Sequence, residues 1–302
     1  MLPLVTSLPP TLVRRAPDGR AVGEQYAAQC LASWRAAGFM PVSVNAPGEL
    51  NEGAVSARGA LASSVTRDAR HVAGRPLVFL HDLVQAALRI DATHVAIANA
   101  DVLLDPGFDV HATVRALPRG VALLAKRIDV VAPDLRVGTP YEPGYDFFAM
   151  PRDDLARLPD VGLVFGLPWW DHFLPTWLRV CGVQLVAARE PFVFHLRHED
   201  RWPQDVWSHV GWAYTHGLLR RLRRERRSLQ ASVARGFERG LRRALRGGVT
   251  DPAFRLRDVL ARLLPSRAPM HRHWALVRAA AMTTRFIDAG TSVHDYPPRR
   301  GR

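Results

Sequence analysis

Short, continuous apolar blocks recur along the chain at residues 2–7, 40–44, 94–98, 121–125, 145–150 and 183–187. Continuous rather than alternating apolarity predicts strands buried on both faces of a largely parallel sheet. Residues 63–66 form a weaker strand candidate. Between these blocks lie stretches with helical spacing. In 21–37, Tyr26, Cys30, Leu31 and Trp34 recur on one face and Gly38 supplies a stop. In 77–90, Leu80, Leu83, Val84, Ala87 and Leu88 do the same, and 170–180 reads as a third helix. Strand, helix, strand at the start is a βαβ opening, so the pattern predicts an α/β fold with a mixed sheet flanked by helices.

Composition narrows the class. At 302 residues, 48% hydrophobic and 23% charged, the composition excludes wholesale disorder, collagen-like repeats and a cysteine-rich scaffold. Its two cysteines, Cys30 and Cys181, make no metal or redox motif. No uncharged apolar run approaches the ~18 residues of a membrane span. Residues 1–10 lack the basic head and long apolar stretch of a secretory signal, so the expected location is cytoplasmic.

The net charge of +13 suggests a polyanion binder until it is divided along the chain. Residues 217–302 hold 21 arginines and 6 acids, a balance of +15, which leaves 20 basic against 22 acidic groups in the first 216 residues. Within the tail, Leu218, Leu222, Leu229, Val233, Phe237, Leu241 and Leu245 fall about four apart across residues 217–248, predicting an amphipathic basic helix. The expected division is a catalytic domain over 1–205 and an arginine-rich helical extension over 206–302. Such a helix can pack on the domain, lie on an anionic membrane surface or bind nucleic acid. Nucleic acid is the least favoured, because no aromatic interleaving, zinc motif or helix-turn-helix accompanies the charge. Peripheral attachment at the inner face of a membrane follows as an expectation. Residues 249–295 read as short helices and the closing 296–302 as an unstructured end.

Chemistry concentrates at the end of the 94–98 strand, where Asn99-Ala100-Asp101 follows. In open α/β sheets ligands gather at the carboxyl ends of strands. Two oxygen-bearing side chains spaced two apart at such an end can address one divalent cation on a diphosphate, and oxygen ligands suit Mg²⁺ or Mn²⁺. Neither a Walker loop nor a GxGxxG turn follows the first strand.

With its βαβ opening and a motif near residue 100, the chain resembles the GT-A nucleotide-diphospho-sugar glycosyltransferases over roughly residues 1–205. Asn99-Ala100-Asp101 looks like an NxD variant of their DxD signature, with Asn in place of the first acid and Asp101 the firmer ligand. The resemblance implies a nucleotide-diphospho-sugar donor and a divalent metal held by Asp101, Asn99 and His195. It places Thr6, Ser7, Pro9, Asn45 and Asp68 near the nucleotide, with plain strand-end hydrogen bonding the alternative for Thr6 and Ser7.

Two clusters follow. Trp169-Trp170-Asp171 opens the 170–180 helix. The tryptophans offer faces for stacking on a sugar acceptor, and Asp171 serves either as general base for the acceptor hydroxyl or as a helix-terminal carboxylate. In 194–202, His195 and His198 are metal or acceptor candidates or backbone-bonded structural histidines, and Arg197 and Arg201 can neutralise the leaving diphosphate. Asp146, in an aromatic run, is a buried acid or an acceptor ligand. The sequence thus predicts a metal-dependent, inverting glycosyltransferase acting on a glycan or lipid-linked acceptor. A nucleotidyltransferase and a non-catalytic membrane or nucleic-acid binding protein are the alternatives.

Overall fold

The computed structural model describes residues 2–15, 19–134, 136–198, 202–246 and 268–296. In chain order the elements are β1 (Leu2–Thr6), α1 (Gly23–Ala36), β2 (Phe39–Asn45), α2 (Glu52–Ala57), β3 (Leu61–Ser64), α3 (Arg70–Ala73), α4 (Leu80–Leu88), β4 (His94–Ala98), β5 (Val102–Leu104), α5 (Val110–Arg115) and β6 (Val121–Ala125). They continue with β7 (Ile128–Val130), β8 (Thr139–Pro140), β9 (Phe147–Pro151), α6 (Arg152–Leu155), α7 (Trp170–Val180), β10 (Gln184–Ala188), β11 (Val193–Leu196), α8 (Gln204–Arg224), α9 (Ala231–Arg246), α10 (Ala268–Asp288) and β12 (Thr291–His294).

The main sheet has the order β12-β10-β6-β9-β4-β1-β2-β3. Its strands are parallel except β9, which runs antiparallel to both β4 and β6. This is the mixed α/β sheet flanked by helices that the sequence pattern and the GT-A resemblance imply. From β1 the chain steps outward to β2 and β3, then returns to lay β4 against the other side of β1. That reversal is a topological switch point, and the crevice beyond the carboxyl ends of β1 and β4 is where open α/β sheets take their ligands.

Alternate residues of the central strands feed two cores. Val5, Ile97, Leu124 and Phe148 face α4, α7, α8, α9 and α10, while Leu4, Ala96, Leu123 and Phe147 face α1, α5 and a second, four-stranded sheet of order β5-β11-β7-β8. Burial on both sides accounts for the unbroken apolar runs. The second sheet matters for the site. Its strands are three or four residues long, with a two-residue β8 at the edge, and β11 pairs antiparallel with β5 and parallel with β7.

The basic tail differs from its sequence reading in one respect and follows the packing alternative in the other. The helix expected over 217–248 is broken at residues 225–230 into α8 and α9. Its apolar stripe is also spent on the fold: Leu218, Leu222, Leu229, Phe237 and Leu241 are all buried in the core that α7 and the sheet share. β12 then joins the main sheet beside β10. The arginines keep the outward faces, where Arg220, Arg223, Arg224, Arg235, Arg239 and Arg243 are exposed. Among the described residues no helix is long and apolar enough to cross a membrane. The helices expected within 249–267 and the unstructured end expected over 297–302 lie outside the described residues.

Candidate active site

Asp101 follows β4 directly, in the turn that leads into β5, and so stands at the mouth of the β1/β4 crevice. Two hydrogen bonds through one hydroxyl hold this turn: Tyr26 Oη donates to the Asp101 carbonyl at 2.8 Å and accepts from the Leu196 amide at 2.7 Å. α1 therefore ties the motif to β11. The β11 register sets His195 opposite Val102 on one side and Asp129 on the other.

The result is a line of charge across the crevice mouth. His195 Nε2 lies 3.3 Å from Asp101 Oδ2, and His195 Nδ1 lies 2.8 Å from Asp129 Oδ1. Arg127 Nε donates to Asp129 at 2.8 Å and its Nη1 to Asp146 at 3.0 Å, while its guanidinium stacks 3.9 Å above the Tyr141 ring. On the opposite side, Arg14, 7% exposed, donates from Nη2 to the Asp101 oxygen that faces His195.

These neighbours decide protonation. Burial alone would raise the Asp101 carboxyl, but the charges of His195 and Arg14 overcome it and hold the group far below the usual carboxylate range. Asp129 is lowered in the same way, against burial, by His195 and Arg127. Burial tends to lower the His195 ring, yet Asp101 and the hydrogen bonds to both carboxylates raise it. For Asp146 burial wins and the carboxyl is raised even with Arg127 beside it.

Asp101, His195 and His198 each offer one ligand atom, and these atoms lie within 4.8 Å of one another. The His195 and His198 rings meet edge to face, with centroids 5.0 Å apart. One carboxylate and two imidazoles make a donor set that fits a divalent transition ion such as Mn²⁺ better than Mg²⁺, which favours an all-oxygen shell. Asn99, two residues before Asp101, is engaged with Asp146. Its Nδ2 donates to Asp146 at 2.5 Å and its amide to the Asp146 carbonyl at 3.2 Å, so it braces β4 against the start of β9.

The remaining candidates separate into those near the crevice and those engaged elsewhere. Thr6 is buried at the end of β1. Ser7 and Asn45 form a polar knot with Glu49, in which Asn45 Nδ2 donates to Glu49 at 3.1 Å and to the Leu8 carbonyl at 2.9 Å. The Pro9 carbonyl accepts from Arg58 at 2.7 Å. Asp68 caps the turn before α3, accepting from the Arg70 amide at 2.8 Å. The Arg197 amide continues the β11 pairing to Val130, and its side chain is exposed. Arg201 lies outside the described residues.

Three acceptor candidates are buried, which for Asp146 is the alternative its sequence setting offered. Trp169 and Trp170 are each only 2% exposed, so neither offers a free face to a sugar. Trp169 Nε1 donates to the Trp207 carbonyl at 3.0 Å and its ring packs on Trp207 and Tyr214; Trp170 packs on Phe148 and Phe165. Asp146, 3% exposed, is held inward by Asn99 and Arg127. Asp171 is different. α7 begins at Trp169 with no side-chain cap, and Asp171 makes a 3.2 Å contact with His172 Nδ1 while keeping 20% of its side chain exposed. The 141–146 loop passes directly over it: a Cβ on Gly144 would lie 1.9 Å from Asp171 Oδ2.

Arg14, Arg127 and Asp129 carry as much of the geometry as the motif, and sequence reading missed all three. The one local signal was Asp129, an acid set between two β-branched residues.

No protein-family model matches the chain, and no curated protein matches it in sequence. Solved structures with a likeness include Staphylococcus aureus TarS residues 1–349 in complex with UDP-GlcNAc, at 11% identity and TM-score 0.47 over 95% of this chain and 90% of that one. Another is glucosyl-3-phosphoglycerate synthase from Mycobacterium tuberculosis with Mn²⁺, UDP and phosphoglyceric acid, at 14% identity and TM-score 0.46 over 73% and 78%. Likeness this remote says nothing of what this chain binds.

Proposed function

We propose that the chain is a GT-A-type glycosyltransferase that moves a sugar from a nucleotide-diphospho-sugar to a hydroxyl acceptor. The observation that carries this reading is the seating of Asp101 at the β1/β4 switch point with an imidazole from β11 3.3 Å away. A carboxylate and histidines brought together at that crevice from distant segments are what a metal-assisted diphosphate site needs. Asp101, His195 and His198 would hold the cation, Mn²⁺ in preference to Mg²⁺, and such an ion supplies charge that favours departure of a diphosphate.

The chain's own groups have separate duties in this reading. Asp129 fixes the His195 ring, and Ser7, just after β1, faces the nucleotide side over the buried Thr6 and Asn45 that support it. Asp171, beneath the 141–146 loop, takes the proton of the attacking hydroxyl, which makes the transfer inverting. Because the leucine stripe of α8 and α9 is buried, any hold on an anionic membrane surface is through exposed arginines and headgroup charge, without insertion. A lipid-linked or glycan acceptor at the inner face of a membrane fits that arrangement.

A thermal-shift panel of sugar nucleotides, with and without Mn²⁺, tests the reading. The expected result is a rise in melting temperature with one donor that depends on Mn²⁺, lost in Asp101→Ala. A panel in which no sugar nucleotide stabilises the protein would sink it.

A further inference from the structure

Asp101 already has a cation. Arg14 Nη2 donates to Oδ2, the same oxygen that lies 3.3 Å from His195 Nε2. Arg14 is not a surface side chain that has fallen onto an acid: it is 7% exposed, and its backbone is fixed. The Val22 amide donates to the Arg14 carbonyl at 2.9 Å, and Arg15 forms a bridge with Ala21. A Cβ on Gly23 would lie 1.5 Å from the Leu12 carbonyl oxygen, so the backbone just before Arg14 is pressed onto the start of α1. The segment between β1 and α1 thus delivers a guanidinium into the candidate cation cluster.

A guanidinium and a divalent ion are alternative counter-charges for one carboxylate oxygen. They repel each other at short range, and the low-dielectric crevice leaves that repulsion poorly screened. Arg14 also cannot shed its proton to relieve it.

We propose that Arg14 is a built-in counter-cation of Asp101 which a divalent metal must displace, so that Arg14 sets the metal affinity of the site. The inference rests on the metal reading above. It gives the site two states: a metal-free one closed by the Arg14–Asp101 pair, and a metal-bound one in which the guanidinium is released at the crevice mouth. There a diphosphate offers it a bidentate partner.

The test is Mn²⁺ binding, followed by the loss of the free-ion signal in electron paramagnetic resonance, for wild type, Arg14→Ala, Arg14→Gln and Arg14→Lys, with circular dichroism melts to verify folding. Arg14→Gln keeps a polar group beside Asp101 and decides the matter if Arg14→Ala does not fold. The expected result is Mn²⁺ binding at least about tenfold tighter in Arg14→Ala and Arg14→Gln than in wild type, with Arg14→Lys close to wild type because the charge remains. Equal or weaker binding in the neutral variants would overturn the role of Arg14 and leave the metal reading standing. Binding of Mn²⁺ by none of the four proteins would overturn both.

Discussion

Asp129 holds Nδ1 of His195 at 2.8 Å, which turns the opposite ring nitrogen toward Asp101. A carboxylate behind a metal-binding histidine fixes its tautomer and orientation, and losing one commonly costs 10- to 100-fold in metal affinity. Asp129→Asn is therefore expected to weaken Mn²⁺ binding by about that factor. The melting temperature should fall modestly too, because the Asp129 charge that pairs with His195 and Arg127 is lost while Arg127 keeps its bond to Asp146. Calorimetric titration of the variant checks it; unchanged affinity would remove Asp129 from the site.

The pH dependence follows from the same ring. In the metal-free protein Asp101 and the two carboxylate hydrogen bonds raise His195 above its ordinary value, despite burial. A raised histidine stabilises the fold fully below its unfolded pKa, and that contribution disappears as pH climbs through the raised folded value. Asp101 and Asp129, both lowered, contribute above the ordinary aspartate pKa and lose their contribution as pH falls. Urea midpoints without metal should accordingly decline from neutral toward alkaline pH, and His195→Asn should flatten that decline. Metal ligation needs the neutral ring, so Mn²⁺ affinity should rise over the interval in which metal-free stability falls.

Trp169 anchors the C-terminal helices to the site. It is the one described non-glycine residue with positive φ, at 84°, and as the N-cap of α7 it stands two residues before Asp171. Its indole lies so close to α8 that a Cβ on Gly211 would sit 2.7 Å from the ring. Packing of this kind is what sustains a left-handed tryptophan. Trp169→Ala should cost about 3–5 kcal/mol of stability. Trp169→Phe, which keeps most of the packing and loses the bond to Trp207, should cost about 1 kcal/mol for that bond plus a smaller packing loss. Chemical denaturation measures both, and a Trp169→Ala protein as stable as wild type would contradict the anchor.

Long apolar runs made most of the sheet legible: β4 and β6 fall on the residues the pattern predicts, because burial on both faces leaves an unbroken signal. The second sheet was not legible. β5 and β7 are three residues long and β8 two, too short for any periodicity, yet they bring Asp129 to His195. Arg14 was hidden for a different reason, since its partner is 87 residues away and nothing local distinguishes it from forty other basic residues. The tryptophan pair was ambiguous in sequence because aromatic side chains serve sugar stacking and core packing alike, and both rings are buried here. The leucine stripe of the tail was read correctly as amphipathic, but the sequence does not say against what it packs.

Asp171 is where the two readings of a helix-terminal acid can be told apart. As a purely structural carboxylate it would act on α7 through the helix dipole, worth roughly 0.3–1 kcal/mol, and its loss would be felt mainly in stability. As a general base it must keep an accessible oxygen, and here one oxygen contacts His172 Nδ1 while His172 Nε2 is held 3.2 Å from Thr284 Oγ1. A fixed carboxylate with a histidine behind it, beneath the 141–146 loop, suits proton removal from a bound hydroxyl. Asp171→Asn preserves shape and removes basicity, so acceptor transfer should fall by roughly 10²–10⁴-fold while the donor-induced thermal shift persists. Gly144→Ala pushes a methyl group onto Asp171 Oδ2 and should depress transfer without weakening donor binding. If Asp171→Asn transfers at the wild-type rate and only melts earlier, Asp171 belongs to the helix and the base must be sought elsewhere in the crevice.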